Sequence, residues 1–179
     1  MKLKYAGILT VVSILFAGTS ANAGALFDVY AGATIGVGAA TMFADDKDVT
    51  HSAQSYGAVV GLDIPVFRFE LEYDYLQADS IEMHLGMINA YAKMPLPVVK
   101  PYLGVGVGNV FSGKDNDFVD IDSVIAYQGM LGVTFDIPVL PIDVDVEGRV
   151  LYAADIYDVA GIKPDFLQYE GRLKLRYVF

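Results

Sequence analysis

The chain has 179 residues, a length typical of one domain, and 54% of its residues are hydrophobic. This composition excludes disorder, because ample apolar surface can be buried, and the lack of cysteine excludes disulfide scaffolds and thiolate metal sites. The formal net charge of -10 argues against nucleic acid as a partner, since that binding depends on Lys and Arg neutralising phosphates. A soluble apolar domain and a membrane protein remain as alternatives.

Residues 1–23 have the three zones of a secretory signal peptide. Two lysines give a positive start, an apolar run follows, and Ala21-Asn22-Ala23 supplies the small-residue cleavage pattern. We predict cleavage after Ala23 and a single mature domain, 24–179. The alternative is an N-terminal membrane anchor, but a spanning helix needs about 20 apolar residues and this run is shorter.

Apolar and polar residues alternate along eight stretches of the mature chain. These are 27–37, 56–63, 67–75, 84–94, 102–111, 124–136, 142–152 and 167–179. Only a β-strand places alternate residues on opposite faces, so we predict eight strands with one apolar and one polar face. The pattern is weakest in 84–94, where we place Asn89, Tyr91 and Lys93 on the polar row.

The connections between these strands alternate in kind. Short turns marked by proline lie at 64–66, 95–101 and 138–141, and polar loops lie near 40–53, 77–83, 112–123 and 153–165. An even number of strands with short turns at one end and longer loops at the other is the layout of outer-membrane barrels. We therefore predict an all-β fold, an eight-stranded antiparallel transmembrane up-and-down β-barrel.

Alternation alone does not decide which row points inward, so a secreted lipocalin-like binding barrel with an apolar interior stays open. Glycine recurs on the polar rows, as at Gly104, Gly106 and Gly108. An eight-stranded barrel has an interior just wide enough for side chains, and inward glycines leave room for long charged groups. Aromatic residues gather near the strand ends, as in two interfacial girdles. Both features favour an apolar row that faces lipid.

The polar rows carry complementary charges that predict a structural network of ion pairs inside the barrel. If Asp143 faces Arg176, the same register pairs Asp145 with Lys174, Glu147 with Arg172 and Arg149 with Glu170. An unpartnered buried charge costs about 3–5 kcal/mol, so pairing in the lumen is close to obligatory. The predicted network comprises Arg68, Glu70, Glu72, Asp74, Lys93, Asp143, Asp145, Glu147, Arg149, Glu170, Arg172, Lys174 and Arg176.

The chain resembles the small outer-membrane barrels of the porin family, which include the opacity-type surface proteins and the barrels of OmpA/OmpX-type proteins. The resemblance rests on the signal peptide, the eight strands, Asn89-Ala90-Tyr91, the stretch 101–108 and the terminal Tyr177-Val178-Phe179. It implies a Gram-negative outer membrane, with membrane lipids and lipopolysaccharide as surroundings, and a structural or adhesin-like role. It also implies that Tyr177 and Phe179 form the signal read by the barrel-assembly machinery. Because the chain stops at Phe179, we expect no peptidoglycan-binding domain after the barrel.

Candidate catalytic and ligand-binding groups are few. The glycine-rich segment 104–108 would bind a nucleotide only between a strand and a helix, and here it lies within a strand. His51, beside Ser52, and His84, which we place near Asp74, are the two histidines. Lipid-modifying barrel enzymes use His with Ser or Asp, so a lipid-A-modifying enzyme is the alternative. We expect no enzyme, no cofactor and no metal site.

The four predicted loops hold 12 acidic residues and three lysines, which concentrates negative charge at one end of the barrel. Such a surface favours cations or a basic surface partner and repels anions. The sequence does not identify that partner.

Overall fold

The computed structural model describes residues 27–44, 47–79, 81–115, 119–120, 124–137, 139–154 and 165–179. The predicted signal peptide, 1–23, lies outside these residues, as do the loop acids Asp45, Asp46, Asp117 and Asp122. No helix in the described part of the chain is long and apolar enough to cross a membrane.

The described chain is built from antiparallel β-strands. They are β1 (Asp28–Ala44), β2 (Lys47–Asp63), β3 (Phe67–Ala78), β4 (Ile81–Lys93), β5 (Val99–Asp115), β6 (Val119–Asp120), β7 (Val124–Asp136), β8 (Ile142–Ala153) and β9 (Asp165–Val178). Neighbouring long strands pair in chain order, and β1 pairs with β9, which closes the sheet into a cylinder. The two-residue β6 pairs with the end of β5 alone. The predicted eight-stranded barrel is confirmed, because each of the eight long strands pairs with a long strand on both of its sides.

The two ends of the barrel differ. We call the end that holds Asp28 and Phe179 the terminal end, and the opposite end the distal end. The proline-marked turn predicted at 64–66 lies at the terminal end, and so does the one predicted at 95–101, which is shorter than predicted because β5 already begins at Val99. The predicted distal loops 40–53 and 77–83 are wrong, since Ala44 pairs with Lys47 and Ala78 with Ile81.

These distal hairpins stay paired because the polar strand residues continue to bond across the ladder where the apolar alternation has already faded. The Thr41 and Thr50 hydroxyls, for example, lie 2.9 Å apart across β1 and β2. The strand β5 likewise continues through Asp115 into the predicted loop 112–123. Period-two patterning therefore marks the membrane-depth part of each strand and misses its polar extension.

The distal rim has a step between β2 and β3. The last β2–β3 pair joins Ala53 to Ala78, whereas β2 continues to Lys47 paired with β1. Among the described residues, no strand pairs with residues 47–52 on the β3 side. We call this place the rim step; it exists because the β1–β2 hairpin is longer than the β3–β4 hairpin.

Side-chain orientation follows the alternation. Phe69, Val146 and Leu173 are 49%, 52% and 46% exposed on the outside of the cylinder, whereas Glu72 and Arg172 are buried inside. The predicted outward apolar row is therefore confirmed. This orientation contradicts a lipocalin-like carrier, whose apolar row would face the interior.

Candidate functional site, a charged lumen

The thirteen residues of the predicted network all face the inside of the barrel or its mouth. Twelve are buried, and Asp143 is partly exposed. They come from β3, β4, β8 and β9, and they meet because the polar row of each strand points toward one axis. A narrow lumen thus brings together acids and bases that are far apart in sequence.

Arg172 of β9 is the most connected base in the middle of the lumen. Its Nη2 lies 2.5 Å from Glu72 Oε1 and 3.1 Å from Thr34 Oγ1. Its Nη1 lies 3.5 Å from Glu147 Oε1, and its Nε lies 3.3 Å from Glu170 Oε1. The planar guanidinium therefore joins carboxylates on three strands, which a Lys ammonium would not match geometrically.

Arg149 of β8 forms a second centre beside it. Its Nη1 pairs with Asp74, and its Nη2 lies 2.6 Å from Glu170 Oε1. Neutral amides fill the space around these charges, since Gln128 donates to Asn89 Oδ1 at 2.7 Å. Gln128 Oε1 also accepts a 3.2 Å hydrogen bond from Arg149 Nη1, whereas Arg149 Nε has no hydrogen-bond partner among the described residues.

Three close hydrogen-bond donors, which lie on β1, β4 and β9, contact the Glu70 carboxylate. Lys174 Nζ lies 2.7 Å from Oε1, and the Tyr91 hydroxyl donates to the same oxygen at 2.8 Å. The Tyr30 hydroxyl donates to Oε2 at 2.6 Å. The tyrosines thus supply hydrogen bonds without adding charge, which lets one carboxylate be buried with one lysine.

Nearer the terminal end, the Asp145 carboxylate accepts hydrogen bonds from two arginines. Arg176 Nε and Nη2 lie 3.0 and 3.1 Å from its two oxygens, and Arg68 Nη1 lies 2.9 Å from Oδ2. The Arg68 guanidinium also lies 4.1 Å from the ring centroid of Tyr91 and 4.6 Å from that of Tyr102. Cation–π contacts of this kind partly replace the hydration that Arg68 loses on burial.

The structure has the β8–β9 register assumed from the sequence. Ion pairs join Asp143 to Arg176, Glu147 to Arg172 and Arg149 to Glu170. The fourth predicted pair is wrong: Asp145 and Lys174 face each other in the register but are not joined. Closure of the barrel is the reason, because Lys174 reaches across to Glu70 on the far wall and Asp145 takes the two arginines.

Inward glycines give these side chains their room. A Cβ added at Gly132 would lie 2.5 Å from Tyr102 Cζ, and one at Gly57 would overlap Asp74 Oδ1. In contrast, an outward Cβ at Gly129 would meet nothing within 4 Å. The inward glycines are therefore sites of close approach.

An apolar layer lies above the charges, toward the distal end, and sequence reasoning missed it. Its buried members are Ala40, Ala53, Leu76, Ala78, Met83, Leu85, Met87, Val110, Ala126, Leu151, Ala153 and Phe166. The signal was present, since Leu76 and Leu151 continue the polar rows two residues past Asp74 and Arg149. Parity alone predicts a polar inward row along the whole strand, whereas this row changes from charged to apolar near the distal end.

At the terminal end, the lumen opens into a cavity of about 570 Å³. Lys93 pairs there with Asp63, which the predicted network did not include, and Lys100 Nζ lies 2.8 Å from Asp136 Oδ2. Lys93 thus belongs to the mouth of the lumen and not to its centre.

The two histidines do not meet each other or the buried acids. His51 Nδ1 lies 3.5 Å from Asp79 Oδ2 at the distal rim, with 35% and 64% of the two side chains exposed. His84 faces outward, and a 2.8 Å hydrogen bond joins its Nδ1 to the Tyr73 hydroxyl. The predicted proximity of His84 to Asp74 is wrong, because adjacent positions on paired strands put Asp74 in the lumen and His84 outside. Within the described residues, no group of three His, Asp or Glu could hold a metal.

The residues of the predicted assembly signal lie on the outside at the terminal end. Tyr177 and Phe179 are 49% and 39% exposed, and their rings meet edge to face with centroids 5.1 Å apart. The Phe179 amide donates to the Val29 carbonyl at 2.9 Å, which holds the end of the chain against β1.

The closed cylinder, its outward apolar band and its charged lumen define the fold of a small outer-membrane β-barrel. Neisserial surface protein A (NspA) is similar to this chain with a TM-score of 0.67 at 18% identity, covering 84% of this chain and 97% of NspA. The outer membrane enzyme PagL is similar with a TM-score of 0.54 at 12% sequence identity, and the match covers 78% of this chain and 97% of PagL. The N-terminal barrel of Pseudomonas aeruginosa OprF is similar with a TM-score of 0.50 at 12% sequence identity, and the match covers 82% of this chain and 97% of that barrel. The sequence matches no protein-family model and no curated protein.

These similarities establish the fold and no more, since the identities are low. The chain has the fold of an eight-stranded barrel of the outer-membrane type.

Proposed function

We propose that the protein is an integral outer-membrane barrel with a structural and surface-interacting, adhesin-like role. The observation that carries the proposal is the orientation of the two rows: apolar side chains such as Leu173 face outward around the whole cylinder, while Arg172 and its acids are buried. In lipid, every backbone polar group needs an internal partner, and a closed barrel supplies one. Lipids and lipopolysaccharide surround the band, and the barrel-assembly machinery reads Tyr177 and Phe179.

The lumen acts as a stabilising core and not as a channel. Two features support this role: the ion pairs around Arg172 and Arg149 cross the lumen, and the apolar layer with Leu85 and Phe166 lies above them. A hydrated ion entering from the distal end would have to displace that layer. The acidic residues of the predicted polar loops then serve interaction with a basic partner or with cations.

The protein is proposed to be without catalytic activity and without a cofactor. PagL is described as an enzyme, so catalysis on this fold is the competing proposal. His51 and Asp79 are the pair to consider here, and both are solvent-exposed.

The experiment that tests the proposal is outer-membrane fractionation combined with heat-modifiable gel mobility and planar-bilayer recording. We expect the mature chain, cleaved after Ala23, in the outer-membrane fraction, with a shift in mobility after boiling and no steady open-channel current. Recovery as a soluble periplasmic monomer without detergent would contradict membrane insertion. A stable ohmic conductance would contradict the closed lumen.

A further inference from the structure

A row of rings crosses four neighbouring strands on the outside of the barrel near its distal end. Tyr56 of β2 faces Tyr75 of β3, which faces His84 of β4. The ring centroids of Tyr75 and His84 lie 5.1 Å apart, and those of His84 and Phe111 of β5 lie 6.4 Å apart. We call these four residues the ring row. Tyr56 and Phe111 are about half exposed, so the row presents ring surface to the surroundings.

A β-bulge completes the ring row. The β4–β5 register shifts between His84 and Leu85 and skips Phe111. A Cβ added at Gly86 would lie 3.3 Å from Phe111 Cε1, so glycine at this position allows the ring to lie close to the wall. Bulges re-aim side chains, and here the bulge turns Phe111 toward His84.

A polar cavity of about 520 Å³ lies directly beyond the ring row, at the rim step. It is lined by Thr50, His51, Ser52, Gln54, Gln77 and Asp79. Gln54 faces Gln77 across β2 and β3, and its Oε1 accepts a 2.9 Å hydrogen bond from the Tyr56 hydroxyl. The cavity and the ring row therefore form one continuous surface. Residues 47–52 of β2, which no described strand pairs on the β3 side, place backbone donors and acceptors beside the cavity.

The chemistry of this surface fits a sugar. Aromatic rings pack against the apolar C–H face of a pyranose, while amides, hydroxyls and a carboxylate bind its hydroxyl groups. Among the described residues that line the cavity there is no Lys or Arg, and Asp79 adds a carboxylate, so this described lining favours neutral hydroxyl groups over phosphate. The surface lies on the outward wall at the distal end. Outer-membrane barrels have short periplasmic turns and longer extracellular loops, which puts the distal end at the depth of the lipopolysaccharide headgroups.

We infer that the ring row and the rim-step cavity bind a sugar ring of the lipopolysaccharide headgroup. The inference rests on the proposed function, because it needs the distal end to lie in the outer leaflet. A peptide adding to the free edge of β2 is the competing occupant. The ring row and the Gln54–Gln77 pair favour the sugar, since strand addition would use the backbone edge and leave both unused.

The two histidines of the chain make a direct test possible, because His51 and His84 both lie in this surface. Tag-free protein carrying isotope-labelled histidine is placed in nanodiscs containing rough lipopolysaccharide, or phosphatidylglycerol as an anionic lipid without that sugar headgroup. We expect both imidazole signals to shift between the two lipids. The variants Tyr75→Leu and Gln77→Leu should lose most of this lipopolysaccharide-specific shift.

The matched control is Tyr127→Leu, which removes a 55% exposed outward tyrosine from β7, away from the site. It should keep the full shift. Identical histidine signals in the two lipids, or equal loss in the control, would overturn the inference while leaving the membrane barrel intact. A shift produced by an extended peptide and not by lipopolysaccharide would also overturn it, in favour of strand addition. Failure to enter either nanodisc would overturn the proposed function and the inference together.

Discussion

Arg172 Nη2 on β9 lies 2.5 Å from Glu72 Oε1 on β3, although two strands of wall separate β9 from β3. The pair therefore bridges the interior of the cylinder and does not follow its surface. Lys174 and Glu70 form a parallel bridge between the same two strands, 2.7 Å apart. These two ion pairs link β9, the last strand of the chain, to β3, which comes early in the chain.

The bridging role of Arg172 predicts a large loss of stability on its removal. Arg172→Ala removes from a buried cluster the cation shared by Glu72, Glu147 and Glu170, and should lower the free energy of unfolding by about 3–5 kcal/mol. Lys100→Ala breaks a pair with Asp136 whose side chains are 27% and 34% exposed, and should cost only about 0–1 kcal/mol. Urea unfolding in lipid vesicles measures both. Equal resistance of the two variants would argue against a core held by charges.

We expect Gly132 and Gly129, both on β7, to differ in how much stability is lost when a methyl group is added. Gly132→Ala forces Tyr102 to move and should destabilise the barrel by about 1–3 kcal/mol. Gly129→Ala places its methyl group outward in open space and should be close to neutral. Thermal loss of the heat-modifiable gel form reports the difference. If Gly129→Ala is the more damaging variant, the inward and outward rows of β7 have been assigned the wrong way round.

We expect truncation of a leucine in the apolar layer to lower the free energy of unfolding more than truncation of an outward leucine. Leu151→Ala creates a cavity inside the barrel and should cost about 2–5 kcal/mol. Leu131→Ala, at a 67% exposed outward position, loses only transfer free energy, roughly 1–2 kcal/mol, because lipid fills the gap. Both are measured by the same vesicle unfolding assay. A Leu131→Ala cost equal to or above that of Leu151→Ala would show that the layer is loosely packed.

The proposed lack of catalysis predicts unchanged lipid A. Mass spectrometry of lipid A from cells expressing the protein should match that of cells without it, and His51→Ala should change nothing. Loss of an acyl chain in the first case, abolished by His51→Ala or by His84→Ala, would instead establish an enzyme.

Alternation of residue type along single strands was enough to predict the closed barrel and the outward band, and the β8–β9 register assumed for its complementary charges is the one observed. The charges at Glu147 and Arg172 pair as that register implies. The sequence did not reveal that Lys174 reaches Glu70, because which walls face each other depends on closure and strand stagger. The sequence also gave no sign that β1 and β2 stay paired at their distal ends. Strand residues beyond the lipid can be polar on both faces, so apolar and polar residues need not alternate there.

The apolar layer was missed for a different reason. Leu76 and Leu151 lie on rows whose other members are charged, and a row read as polar gives no cue that its last residues pack together. The rim-step cavity was equally hidden, because it depends on two hairpins having different lengths. His51 was noted from the sequence, but its neighbour Asp79 follows from the β3–β4 turn.

The chain contains no cysteine, so single cysteines allow spin labels to report which face meets lipid. Leu173→Cys carries a label in the outward band, and Val139→Cys carries one in a terminal-end turn that is 90% exposed. In lipid vesicles, we expect the label at residue 173 to be relaxed by dissolved oxygen and shielded from a water-soluble nickel complex, with the opposite behaviour at residue 139. Strong relaxation of the residue 173 label by the nickel complex would contradict a barrel with lipid outside and ion pairs within.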